Sequence, residues 1–172
     1  MAPRLPLLAA GVLLTAAGSA ALLPSETVIE RQAVVDAPPA QVYALLSSNA
    51  GFQRFNPYKD ADPELEITLF GPERGVGSGF AFDGKDGTGT QTISKVQAGQ
   101  YVAMDIDLGS MGHPFQEFEL SAVDGGTQVT WRVTLDAGKN PGKRLFGVFA
   151  EGMLAPTYER GLELLDSTLT GA

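Results

Sequence analysis

Between Leu65 and Ala137 the sequence alternates apolar and polar residues, and this period of two constrains the fold more than any other feature. YVAMDIDL is the cleanest stretch. Val102, Met104, Ile106 and Leu108 fall on one side, and Ala103, Asp105 and Asp107 on the other. ELEITLF repeats the pattern with Leu65, Ile67 and Leu69, and GFAFDG with Phe80 and Phe82. FQEFELSA sets Phe118 and Leu120 against Glu117 and Glu119, and TQVTWRVTL sets Val129, Trp131, Val133 and Leu135 against Thr130, Arg132 and Thr134. TGTQTISKV is more polar, with Ile93 and Val96 as its apolar members. One apolar face and one wet face describe an antiparallel sheet. Gly75, Gly77 and Gly79, Asp83-Gly84, Asp86-Gly87, Ala98-Gly99 and Asp124-Gly125-Gly126 supply turns between the strands.

Before the sheet, VIERQAVVD reads as a first strand and Asp36-Ala37-Pro38-Pro39 stops it. Val42, Leu45 and Leu46 then share one helical face, and Asn49-Ala50-Gly51 is expected to end that helix. An aromatic knot follows, Phe52 to Tyr58, read as a short second helix with a turn at Asn56-Pro57. After Gly138 the period returns to that of a helix. Leu145, Phe146, Phe149, Met153 and Leu154 form its stripe, continued by Leu162, Leu165 and Leu169, with a kink or brief interruption expected at Pro156. A sheet with one apolar face needs a cover, and this long helix is the only element large enough. The expected class is α+β, a curved antiparallel sheet of about six to seven strands wrapped on a long C-terminal helix, with two short helices after the first strand.

The N-terminus reads as an address. After Arg4 the chain runs from Leu5 to Leu23 for 19 residues without a charge, then meets Pro24. A positive start and an apolar run mark a secretory signal, and Gly18-Ser19-Ala20-Ala21 offers small residues for cleavage. The run is also long enough, at about 1.5 Å per residue, to stay in place as a transmembrane anchor. The two readings share one division of the chain: 1–24 as signal peptide or anchor and 25–172 as the domain. The domain is expected outside the cytoplasm, anchored to the inner membrane or released as a periplasmic or exported protein.

Composition narrows the chemistry. The net charge of −8 speaks against a nucleic-acid partner. With no cysteine and one histidine, thiol catalysis, disulfides and multi-histidine metal sites are excluded, so neither metal nor cofactor is expected. The glycine runs are flanked by strand patterns rather than by a strand and a helix, so they read as hairpins and not as phosphate cradles. Asp105 and Asp107, like Glu117 and Glu119, lie opposite apolar neighbours and are read as water-facing. Lys139, Lys143 and Arg144 cluster at the start of the last helix, read as a solvated face or as a patch for anionic lipid headgroups.

The order of elements resembles the helix-grip fold of the START-like superfamily, in its SRPBCC, polyketide cyclase/dehydrase-like branch. Four stretches carry the resemblance: Val34 to Tyr43, the knot from Phe52 to Tyr58, Gly75 to Gly79 with Gly87-Thr88-Gly89, and Gly126 to Trp131 paired with Tyr158 to Leu165. Phe52, Phe55, Tyr58 and Phe82 stand where tryptophans are frequent in the family. The resemblance implies a small hydrophobic ligand, lipid-like or polycyclic, held between the sheet and the long helix. Cavity-lining candidates are Phe55, Tyr58, Phe80, Phe82, Met104, Phe118, Trp131, Phe149 and Met153, with His113 as a polar residue at the mouth. Some members are enzymes but share no catalytic motif, so no catalytic residue is assigned. Inward positions that read as nearly all apolar favour binding, and a cyclase/dehydrase-type enzyme using the same cavity is the alternative.

Overall fold

The computed structural model describes residues 22–171, so the expected signal or anchor lies almost wholly outside the described residues. In chain order the elements are β1 (Glu26–Val35), α1 (Pro39–Leu46), α2 (Asn49–Phe52), α3 (Pro57–Ala61), β2 (Glu66–Phe70), β3 (Gly79–Gly84), β4 (Gly87–Gln97), β5 (Tyr101–Asp107), β6 (Phe115–Val123), β7 (Gly126–Asp136) and α4 (Pro141–Thr170). The strands form one antiparallel sheet in the order β1-β7-β6-β5-β4-β3-β2. Sequential hairpins build it from β2 to β7, and β1 then closes onto β7. With α4 laid against this sheet the fold is a helix-grip.

Each strand's parity follows the sequence. Ile29 pairs with Val133, Val133 with Gln116, Gln116 with Met104 and Met104 with Ile93, one row across the face turned to α4. Ile93 and Val96 are three apart and so out of phase for a regular strand. A bulge between Ile93 and Lys95 absorbs the extra residue, and Val96 pairs with Val102 on the same face.

The connection after β1 differs from the sequence expectation. Asn49-Ala50-Gly51 does not merely stop a helix; it opens the next one. The Ser48 side chain caps α2 by accepting from the Gly51 amide at 3.2 Å, and Asn56 caps α3 by accepting from the Tyr58 amide at 3.0 Å. The knot therefore runs from the end of α2 at Phe52, through a turn, into α3 at Pro57.

The long helix also differs. It runs through Pro156 without interruption, because Pro156 and the Gly152 carbonyl left without a donor lie on its exposed side. Its buried stripe is Gly147, Ala150, Ala155, Tyr158, Gly161, Leu162 and Leu165. Of the expected stripe, Leu162 and Leu165 are buried and Leu154 and Leu169 pack partly buried against the core, but Leu145, Phe146, Phe149 and Met153 are 46–62% exposed. The cause is the distance between helix and sheet. Gly147 lies so close to Thr27 of β1 that a Cβ would overlap the hydroxyl, so in the first half of the helix small residues face the sheet and bulky ones turn away.

Trp131 sits at the centre of the core, fully buried, with Phe118 at 4.7 Å, Tyr158 at 5.0 Å and Phe52 edge-on at 6.5 Å between ring centroids. Phe52 extends the aromatic chain to Phe55 at 4.8 Å and Phe80 at 5.5 Å. Arg31 on β1 ties the helix down from the sheet edge, its Nε donating to Glu159 at 2.7 Å and its Nη1 to Glu151 at 3.4 Å.

Candidate functional site

Across the central strands β4, β5 and β6 the inner face is apolar except at two places. Gln91 and Gln116 occupy inward positions on β4 and β6 and are 6% and 2% exposed. Their side-chain nitrogens converge on one atom, the Met104 sulfur, at 2.9 Å and 3.4 Å. A thioether is a weak acceptor, so both amides are only weakly satisfied in a setting where an unmet donor costs about 1–3 kcal/mol. A void of about 10 Å³ lies beside Gln91 and Met104, lined also by Asn49, Ser78, Phe80 and Ile93. That is room for a single water at most. The Trp131 indole N–H, also fully buried, has no acceptor among the described residues.

The sequence reading missed both glutamines, although the signal was present. Gln91 stands two before Ile93, and Gln116 two before Phe118, so each shares the parity of a residue read as inward. Parity outranks polarity once a strand's direction is known.

Of the candidate cavity residues, Phe55, Phe80, Met104, Phe118 and Trp131 are buried together and Phe82 packs partly buried against them. Tyr58 is 40% exposed, with its hydroxyl set against that of Tyr158. Burial raises the pKa of both tyrosines, and both stay protonated through the neutral range. Phe149 and Met153 do not join this group. They are 60% and 62% exposed, and Tyr158 and Leu162 of the next turns meet the sheet in their place.

His113 is not at the mouth of the inner face. It belongs to a groove of about 450 Å³ on the opposite face, with Thr90, Thr92, Asp105, Asp107 and Phe115. Its Nδ1 lies 3.2 Å from Asp107 Oδ1, and both side chains are mostly exposed. The connection after β5 turns the loop outward: Asp107 accepts from the Gly109 amide at 2.8 Å and a short 3₁₀ turn spans Gly109–Met111.

The outer face also carries a charge network. Arg132 donates to Glu30 at 2.8 Å and to Glu117 at 2.6 Å, and the Tyr101 hydroxyl donates to Glu117 at 2.6 Å. Glu117 is therefore held in a network rather than simply in water. Desolvation raises the Glu117 carboxyl, but the bonds from Tyr101 and Arg132 outweigh it and hold the pKa below the ordinary value. The Tyr101 phenol is pushed up to about 12, by desolvation first and by the Glu117 bond second. The strand positions facing α4 from β2 to β7 carry no carboxylate and no histidine.

A family model described as polyketide cyclase / dehydrase and lipid transport matches residues 26–170. No curated protein matches the chain significantly. Among solved structures, the protein CV1439 from Chromobacterium violaceum is similar at 11% identity and a TM-score of 0.62, covering 83% of this chain and 96% of that one. The di-domain ARO/CYC StfQ from the steffimycin biosynthetic pathway is similar at 13% identity and a TM-score of 0.61, over 85% of this chain and 51% of its own. The Aha1 dimer from Colwellia psychrerythraea follows at 19% identity and a TM-score of 0.56, over 84% and 97%. At these identities the likeness is one of fold.

Proposed function

The chain belongs to the polyketide cyclase / dehydrase and lipid transport family, and from that premise we propose that its domain binds a small, mainly apolar molecule against the inner face of the sheet. The observation that carries this reading is the convergence of Gln91 and Gln116 on Met104. An apolar surface with a few convergent polar groups is how small-molecule sites orient their ligands. Here two buried donors share one weak acceptor. A ligand oxygen, from a carbonyl or hydroxyl, is a better partner for both amides than the sulfur.

Met104 then acts as a plug. Its unbranched side chain changes rotamer at little cost. Moved aside, it widens the void beside Phe80 and Ile93 and releases both glutamine nitrogens to the ligand. The ligand class this fits is lipid-like or polycyclic, with a compact polar end. The absence of carboxylate or histidine from the inward strand positions favours binding over cyclase or dehydrase chemistry, which needs a placed acid or base.

Native mass spectrometry of the full chain extracted in mild detergent tests this. A co-purifying apolar small molecule that Gln91→Leu with Gln116→Leu releases is the expected result. A chain that carries no such molecule, and takes up none from a panel of fatty acids and polycyclic aromatics, overturns the reading.

A further inference from the structure

The first four turns of α4 carry an outward face with no matching surface among the described residues. Leu145, Phe146, Val148, Phe149 and Met153 are 46–62% exposed. At about 100° per residue they lie, with Gly152 and Pro156, around the side turned away from Gly147, Ala150 and Tyr158. From Leu145 to Thr157 the one charged residue is Glu151, and it turns back to Arg31 at 3.4 Å. The outward side of this helical segment is thus free of charge, whereas surface helices ordinarily present charged residues to water.

Two further observations say what covers it. The first is charge. On a chain of net −8, Lys139, Lys143 and Arg144 stand together at the start of this helix. The second is where the N-terminal run joins the domain. Arg144 donates to the carbonyl of Leu23, the last residue of the uncharged stretch, at 3.1 Å, which holds that residue at the first turn of α4. Leu23 is thus held at the same end of α4 that carries the exposed apolar face.

We propose that this face of α4 docks on a lipid bilayer, with Phe149 and its apolar neighbours at the acyl boundary and Lys139 and Lys143 among anionic headgroups. Apolar side chains on one side with basic residues at the flank are the pattern of an interfacial helix. A second copy of this chain fits less well, since it would bring the same basic cluster against itself. The proposal stands whether or not the inner face holds a ligand.

The chain has no cysteine, so a single introduced thiol can be labelled uniquely. Gly152 lies on the proposed face, and a Cβ there meets nothing within 4 Å. The full chain carrying Gly152→Cys with an environment-sensitive fluorophore is reconstituted into phosphatidylcholine–phosphatidylglycerol vesicles. A second preparation carries the label at Asp124→Cys, on the turn between β6 and β7. The expected result is a blue shift at 152 and quenching there by a quencher on the lipid acyl chain, with neither at 124. Adding Phe149→Glu and Met153→Glu, both at exposed positions, brings quenching at 152 down to the level at 124 while Trp131 emission, the check on folding, is unchanged. The proposal is overturned if the chain does not float with the vesicles, or if the label at 152 behaves like that at 124. It is also overturned if the label is shielded from water without lipid quenching, the sign of a second copy.

Discussion

Gly161 of α4 lies directly against the indole of Trp131, so close that a Cβ at 161 would overlap the Cζ3 edge of the ring and stand 2.9 Å from Cη2. Backbone on one side and backbone-anchored aromatic on the other leave nowhere to shift. Gly161→Ala is expected to destabilise the fold by about 1–3 kcal/mol, as overpacking does. Gly152→Ala, on the open side of the same helix, should instead gain about 0.5–1 kcal/mol from helix propensity. Urea unfolding of both variants checks the pair, and equal effects would contradict the packing described.

Trp131 is the sole tryptophan and is fully buried, so its emission maximum should be blue-shifted in the folded chain before any ligand is added. Met104→Trp asks whether the space beside it takes more volume. With about 10 Å³ free, the larger side chain should cost about 1–3 kcal/mol and lower the melting temperature. Unchanged stability would mean that the inner face opens more readily than its packing implies.

Replacing both buried amides separates structure from binding. In Gln91→Leu with Gln116→Leu the weakly paired donors are gone and their volume is kept, so stability should hold or rise. Affinity for an oxygen-bearing apolar probe should fall by about tenfold, the equivalent of about 1.4 kcal/mol. Isothermal titration with a single fatty acid measures it, and unchanged affinity removes the amides from the binding role.

Stability should fall at both ends of the pH range. The Glu117 pKa is lowered by folding, so its contribution is complete above the unfolded value and is lost as pH falls through the folded one. Tyr101 goes the other way. Its pKa rises to about 12, so between the unfolded value of 10.0 and about 12 the unfolded chain loses a proton that the folded chain keeps, and stability drops as pH rises. Tyr58 and Tyr158 shift in the same direction. Tyr101→Phe should therefore flatten the alkaline limb without abolishing it, and Glu117→Gln should flatten the acid limb. Urea midpoints measured across pH read both slopes.

Alternation told which face of each strand turns inward, because a strand has only two faces and a slip of one residue would bury Asp105 and Glu117. Met104, Phe118 and Trp131 were legible for that reason. The long helix was harder. Its inward stripe is chosen by how near the backbone must come to β1, and Gly147 and Ala150 give a weak hydrophobic signal while Phe149 and Met153 give a strong one. Gln91 and Gln116 were passed over because polarity was read as exposure. Ser48 was the missed cap, since a small polar residue ahead of Asn49-Ala50-Gly51 looks the same from the sequence whether a helix stops or starts there.

The closure of β1 onto β7 also sets an order of events. Glu30 and Arg132 are 102 positions apart, yet they lie side by side on the finished sheet. The hairpins from β2 to β7 join near neighbours and can form as the chain emerges. The strand made first must wait for the strand made last, and until then it carries unpaired backbone on both edges. Long-range pairing of this kind slows folding and prolongs the interval in which a nascent chain is open to capture by chaperones.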